Sequence, residues 1–246
     1  MERPRRVGIE RLVENQMNRW NVEARLRHSE SDDSTVEEGI KPYIAISRLR
    51  GSHGNELGRT LAERLGYKLY DRELVDYVAE RANVRAEAVA ALGETWYNKT
   101  HDWISGTIDK RFLRCDEYVR HLAEAVTTIA LHDASVFLGR AVGFILPPER
   151  GLRLRVVAPF EHRLRRMMEL HDMSLAEATR TLHQSDEATK RSFIQAYFRV
   201  DMCDPLAYDL CLNFGTLTVE QAVEICLVAF KEKLDPIAAP ATARGG

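Results

Sequence analysis

At 246 residues, 45% hydrophobic and 29% charged, the chain suffices for one α/β domain of roughly 190–200 residues plus tails. A net charge of −2 gives no general attraction to nucleic acid, and no apolar run nears the ~20 residues of a membrane span. Residues 1–20 lack a signal-peptide core, and Cys115, Cys203, Cys211 and Cys226 form no Cys-x-x-Cys pair, so a cytoplasmic protein with reduced thiols and no metal site is expected.

In residues 1–28, Ile9, Leu12, Val13, Met17 and Trp20 recur at helical spacing among arginines. This predicts a helical extension, packed on its own domain or on a second copy as a homodimer. Glu10, Glu14 and Glu23 dilute the basic face and argue against a membrane surface. Residues 29–40 read as an acidic linker, so a chain starting near Lys41 is expected to keep its melting temperature.

Tyr43–Ile46 is a continuous apolar run, as in a strand buried on both faces. The loop Gly51-Ser52-His53-Gly54 follows, then a helix with Leu57, Leu61 and Leu65 on one stripe and Gly66 as its stop. Strand, glycine loop and helix form a layout in which backbone N–H groups receive a phosphate, here across Gly51, Ser52, His53, Gly54, Asn55 and Glu56. A plain strand-to-helix turn is the alternative, because the lysine of a phosphate loop is missing.

Lys68–Tyr70 reads as a second strand, with Asp71 placed to cap the helix of Leu74, Val75 and Val78. Residues 85–93 are helical in pattern. Residues 94–112 have no clean period, and their Trp96, Tyr97 and Trp103 either fill space or face a base. A helix over about 116–132 leads to a third strand, Ser135–Gly139, which runs into Arg140. Leu152–Ala158 is a fourth strand. The helix after Pro159 carries Arg163, Arg165 and Arg166, and Ser174–Glu177 is a capping box for the next one. A further helix over 186–198 bears Lys190 and Arg191, with Arg199 after it. Asp209–Phe214 is the fifth strand, Thr218–Gln221 caps a helix to about Leu234, and residues 235–246 read as a disordered tail.

Five strands alternating with helices predict a parallel sheet covered on both faces. Ligands of such sheets bind beyond the carboxyl ends of the strands, where Ser47–Gly54, Asp71, Gly139-Arg140 and the residues after Ala158 fall.

The blocks Ile46-Ser47-Arg48, Gly51-Ser52-x-Gly54-x-Glu56-Leu57-Gly58 and Tyr70-Asp71-Arg72-Glu73-Leu74 resemble the opening of the cytidylate kinase-like family. Gly139-Arg140 with Gly143, Arg163–Arg166, Asp186-x-x-x-Lys190-Arg191 and Asp204–Asn213 continue the resemblance in order over about residues 43–230. It implies a P-loop nucleoside monophosphate kinase-like domain over 41–234 with a helical lid at about 160–200. It also implies ATP with Mg2+, and transfer of the γ-phosphoryl group to CMP or dCMP. Arg140 would hold the acceptor phosphate, and Arg163, Arg166, Arg191, Lys190 and Arg199 would be lid cations. Asp71, Arg72 and Asp209 would contact the acceptor. Each has a plainer role open to it: a cap for Asp71, the start of a strand for Asp209, a solvated helix face for the lid arginines.

The chain departs from the family at His53, where a glycine is usual, and at Ala141, where an acid is usual. These departures keep an alternative in play, a catalytically degenerate nucleotide-binding or scaffold protein on the same fold. His53 itself is expected to obstruct the loop rather than lend it charge, since left-handed backbone suits glycine better.

Overall fold

Tyr43, Ile44, Ala45 and Ile46 are each at most 5% exposed, because they run along a central strand with helices on both faces. The structure is a computed structural model that describes residues 11–22, 39–81, 86, 117–184 and 187–238. Helix α1 covers residues 11–22, followed by β1 (Tyr43–Arg48), α2 (Gly54–Leu65), β2 (Lys68–Tyr70) and α3 (Arg72–Glu80). Next come α4 (Glu117–His132), β3 (Ser135–Leu138), the one-turn α5 (Val142–Ile145) and β4 (Gly151–Val157). Helices α6 (Phe160–His171), α7 (Leu175–His183) and α8 (Glu187–Phe198) precede β5 (Leu210–Asn213) and α9 (Val219–Ala238).

The five strands form one parallel sheet in the order β2-β3-β1-β4-β5, with Ile46 opposite Leu138 on one side and Leu154 on the other. The chain leaves β1 toward β2 and β3, then crosses to β4 on β1's other side. That reversal opens a crevice at the carboxyl end of β1. The pleat sends Tyr43, Ala45 and Phe137 into a core with α1, α3 and α4, and Ile44, Ile46 and Leu138 into a core with α2 and α9. A third, small core of Leu164, Met167, Ala178 and Leu182 closes α6 on α7.

Helix α1 is seated on the domain's own core. Val13, Met17 and Trp20 are buried, and Trp20 stacks on His132 with ring centroids 4.2 Å apart. Below them lies the carboxylate of Asp133, 7% exposed. It accepts from Gln16 Nε2 (2.7 Å), Trp20 Nε1 (2.9 Å), Tyr70 Oη (2.7 Å) and the Arg19 guanidinium. Three of these four donors sit on α1, which ties it into the domain, against the expectation that a chain starting near Lys41 melts unchanged.

The other end of the chain also differs from expectation: α9 runs through Pro236 to Ala238, so residues 235–238 of the expected tail are helical. Residues 239–246, the linker up to residue 38 and the segments 87–93 and 94–112 lie outside the described residues. Among the described residues no helix is long and apolar enough to cross a membrane.

Candidate active site

The loop between β1 and α2 is a tight turn with two left-handed residues, Gly51 (φ 77°) and His53 (φ 64°). Gly51 has no alternative: a Cβ there would lie 2.9 Å from the carbonyl oxygen of Arg163. The buried hydroxyl of Ser52 reaches the carbonyls of Leu49 (2.8 Å) and Val156 (3.3 Å), tying the loop to β4. His53 is the N-cap of α2 and makes no side-chain cap bond. An α-helix leaves its first N–H groups without intrahelical acceptors, so Gly54, Asn55 and Glu56 present donors here. They border a cavity of about 930 Å3 at the carboxyl ends of β1 and β3, walled by α3, α6 and α8.

The ring of His53 packs on Phe214, centroids 5.5 Å apart, and on His162, neither of which lines the cavity. His53 Nδ1 lies 2.6 Å from Glu56 Oε2, and His53 Nε2 lies 2.9 Å from His162 Nε2. An ionised Glu56 only accepts, so His53 Nδ1 donates to it, and the direction of the Nε2–Nε2 contact follows the tautomers of the two rings. Burial works to raise the Glu56 carboxyl, but the bonds from His53 and Arg166 outweigh it and hold the group below its ordinary 4.5. Burial, then repulsion from His53, Arg165 and Arg166, lowers His162 below its ordinary 6.5, against a smaller opposing pull from Glu169.

The folded state therefore binds fewer protons at His162 than the unfolded chain just below pH 6.5. The associated stability is complete above that pH and is lost as pH falls toward the folded-state value. Replacing His162 with Gln, which keeps a donor, should flatten the fall in urea midpoint between about pH 7.5 and 5.5, a range above the Glu56 titration. Equal slopes in wild type and variant would refute this.

Across the cavity, β3 ends in three consecutive left-handed residues, Gly139 (φ 86°), Arg140 (φ 55°) and Ala141 (φ 56°). Two non-glycine residues in this region cost about 1–2 kcal/mol each, and such strain gathers where a side chain must be aimed. Here it aims Arg140, whose guanidinium pairs with Asp76 and lies 5.9 Å from the Tyr118 ring centroid. Tyr118 Oη donates to Asp76 (3.2 Å); burial pushes this phenol up to about 12, with Asp76 adding to the rise and Arg140 opposing it. Arg166, reaching in from α6, pairs with Glu56 and joins that helix to the loop.

Of the residues singled out from sequence, Gly51, Ser52, His53, Gly54, Asn55, Glu56, Arg72, Arg140 and Arg166 line this one cavity. Four do not. Asp71 caps α3, its Oδ1 accepting from Leu74 N at 2.9 Å. Arg163 lies beneath Gly51 with its guanidinium 5.7 Å from the Phe160 ring centroid. Arg191 faces solvent and pairs with Asp201 at 2.8 Å. Asp209 is clamped at the start of β5 by Arg153 (3.1 Å) and Lys233 (2.7 Å). Burial would raise its carboxyl, yet the bonds from Arg153 and Lys233 prevail and keep it low. Arg199 also lies off the cavity wall.

The cavity adds residues that were not singled out: Arg48, Asp76, Arg153 and Tyr208. Asp76 had a signal, a carboxylate set inside the apolar stripe of α3 between Val75 and Val78.

Residues 43–216, well over half of the chain, match the model of the cytidylate kinase-like family. The chain belongs to the cytidylate kinase-like family. Among solved structures, this family member is similar to an uncharacterized protein from Eubacterium ventriosum. Identity is 20%, TM-score 0.62, and the match covers 78% of this chain and 99% of that one. That likeness shows a shared fold. A sugar kinase from Janibacter sp. matches at 15% identity and TM-score 0.44, covering 81% of this chain and 99% of that one. Shikimate kinase from Bacteroides thetaiotaomicron matches at 12% and 0.39, covering 80% and 99%. At these scores the last two say nothing about what this protein acts on. No curated protein matches the chain.

Proposed function

We propose that this cytidylate kinase-like protein moves the γ-phosphoryl group of ATP to a nucleoside monophosphate, CMP or dCMP. The observation that carries the reading is one cavity joining the uncapped N-terminus of α2 to Arg140 at the switch point of a parallel sheet. Phosphoryl transfer between two polyanions is catalysed by positioning and by cationic stabilisation.

The N–H groups of Gly54, Asn55 and Glu56 bind the phosphates of ATP. Arg140 exchanges Asp76 for the acceptor phosphate, its fork holding two oxygens at once. Arg72 adds positive charge from α3, and Arg166, exchanging Glu56 for phosphate, does so from α6. Met167, Leu170, Met173, Phe193 and Ile194 give the lid side an apolar face that excludes water when it closes.

Among the described residues no three metal-ligating side chains cluster. Such a site fits Mg2+, which keeps several waters and is held by substrate phosphates with one or two carboxylates. Glu56 and Asp76 border the cavity and would supply them. A Mg2+ held by these carboxylates would supply neutralising charge for the phosphate oxygens. The free thiols Cys203, Cys211 and Cys226 suit the reducing cytoplasm in which we place the protein.

A second reading, nucleotide binding without turnover, draws on one observation: the ring of His53 is held by Glu56 and His162 and packs on Phe214, which lies outside the cavity. Binding itself is tested by thermal denaturation. A ligand at 100 times its Kd stabilises by about 2.7 kcal/mol, so ATP and CMP should each raise the Tm, and together raise it further. A shift with sugars or hydroxy acids and none with CMP would overturn the choice of acceptor.

A further inference from the structure

Arg48 is the last residue of β1, immediately ahead of the glycine loop. Its stem lies flat on Gly54: a Cβ added there would come within 2.7 Å of Arg48 Cβ and Cδ. Its Nε donates to Asn55 Oδ1 at 2.6 Å, and its Nη1 would be 3.1 Å from a Cβ on Gly139. The guanidinium thus spans from the first turn of α2 to the turn that carries Arg140, along the cavity wall.

Its partners set it apart from other arginines of the cavity. Arg140 is neutralised by Asp76, Arg166 by Glu56 and Arg153 by Asp209. Arg48 is bonded to a neutral amide, with no carboxylate in ion-pair contact among the described residues. Burial lowers its pKa, with Arg72 acting the same way and Asp71 opposing. A half-buried cation on a cavity wall with no carboxylate in ion-pair contact is placed to receive an anion from that cavity.

We propose that Arg48 takes the part of the missing phosphate-loop lysine, binding the terminal phosphates of the nucleoside triphosphate where donor and acceptor meet. The inference rests on the phosphotransfer reading above. A lysine within the loop would reach the phosphates from the helix side; Arg48 reaches them from the strand side, with its stem seated in the space that the glycine at 54 leaves open. The fork makes one bond to Asn55 and keeps its remaining N–H donors for phosphate oxygens. It also explains how the loop dispenses with charge from His53.

The test is calorimetric titration of wild type, Arg48→Met and Arg48→Lys with Mg-ATP, Mg-ADP and AMP. A hydrogen bond to a charged group contributes about 1.5–3 kcal/mol, so Arg48→Met should weaken ATP by about 10–150-fold. ADP should weaken less, AMP not at all, and the melting temperature should hold. Arg48→Lys, which keeps stem and charge, should bind ATP at an intermediate strength, and it carries the test if the Met variant fails to fold. A strut that merely braced Gly54 would affect all three nucleotides alike, so an unchanged ATP-to-ADP ratio in the folded variants overturns the proposal. A wild type that binds neither ATP nor ADP overturns the phosphotransfer reading, and this inference falls with it.

Discussion

A chain beginning at Lys41 is expected to lose most or all of its cooperative folding. Removing α1 takes away Trp20, Met17 and Val13 from the core and three of the four donors to Asp133. Truncating a buried tryptophan costs about 3–5 kcal/mol, and stripping the partners from a buried carboxylate costs a further ~3–5. A domain stable by about 5–15 kcal/mol has little left after that. Trp20→Ala in the full chain should lower stability by the first of these amounts. Trp20→Phe, which loses the Nε1 bond and keeps most of the packing, should lower it by only about 1–2 kcal/mol. Urea melts of the three proteins check this ranking. A truncated chain with the wild-type midpoint would place α1 outside the domain's stability altogether.

The second large effect belongs to Arg140. Under the phosphotransfer reading, Arg140→Ala removes about 2–4 kcal/mol of transition-state stabilisation, a fall in kcat/KM of about 30- to 1000-fold, and leaves the fold cooperative. Arg140→Lys should recover only part of this, because a point charge cannot replace the fork. The comparison is clean in one respect: Ala, Lys and Arg all carry the same left-handed backbone cost at this position. Unchanged CMP affinity and turnover in Arg140→Ala would remove it from the site.

Strands β1 and β3 were legible as apolar runs because helices cover both faces of the sheet there, whereas β4 enters with Arg153 and Arg155 and turns fully apolar only at Val156-Val157. The loop was legible because Gly51 and Gly54 stand between such a run and a leucine stripe. Local pattern could not tell Arg163 from Arg166. They lie three apart on α6, and only the seating of that helix against Gly51 sends one beneath the loop and the other into the cavity. Asp209 looked like a ligand contact for the same reason: its partners Arg153 and Lys233 come from β4 and α9, far away in sequence. Arg48 stood in the block Ile46-Ser47-Arg48 without a role, because a strand-terminal arginine has no period to read; its meaning lies in the bare Cα of Gly54 beneath it. The seating of α1 was hidden likewise, since helical spacing reveals an apolar face without revealing what covers it.

Transfer of phosphate from ATP to a nucleoside monophosphate can be watched by phosphorus NMR of the full chain with Mg-ATP and CMP. ADP and CDP should accumulate in equal amounts, with dCMP replacing CMP as acceptor and with little product from Arg140→Ala. ATP left intact beside CMP, dCMP and the other nucleoside monophosphates, in a protein that binds them, would contradict it.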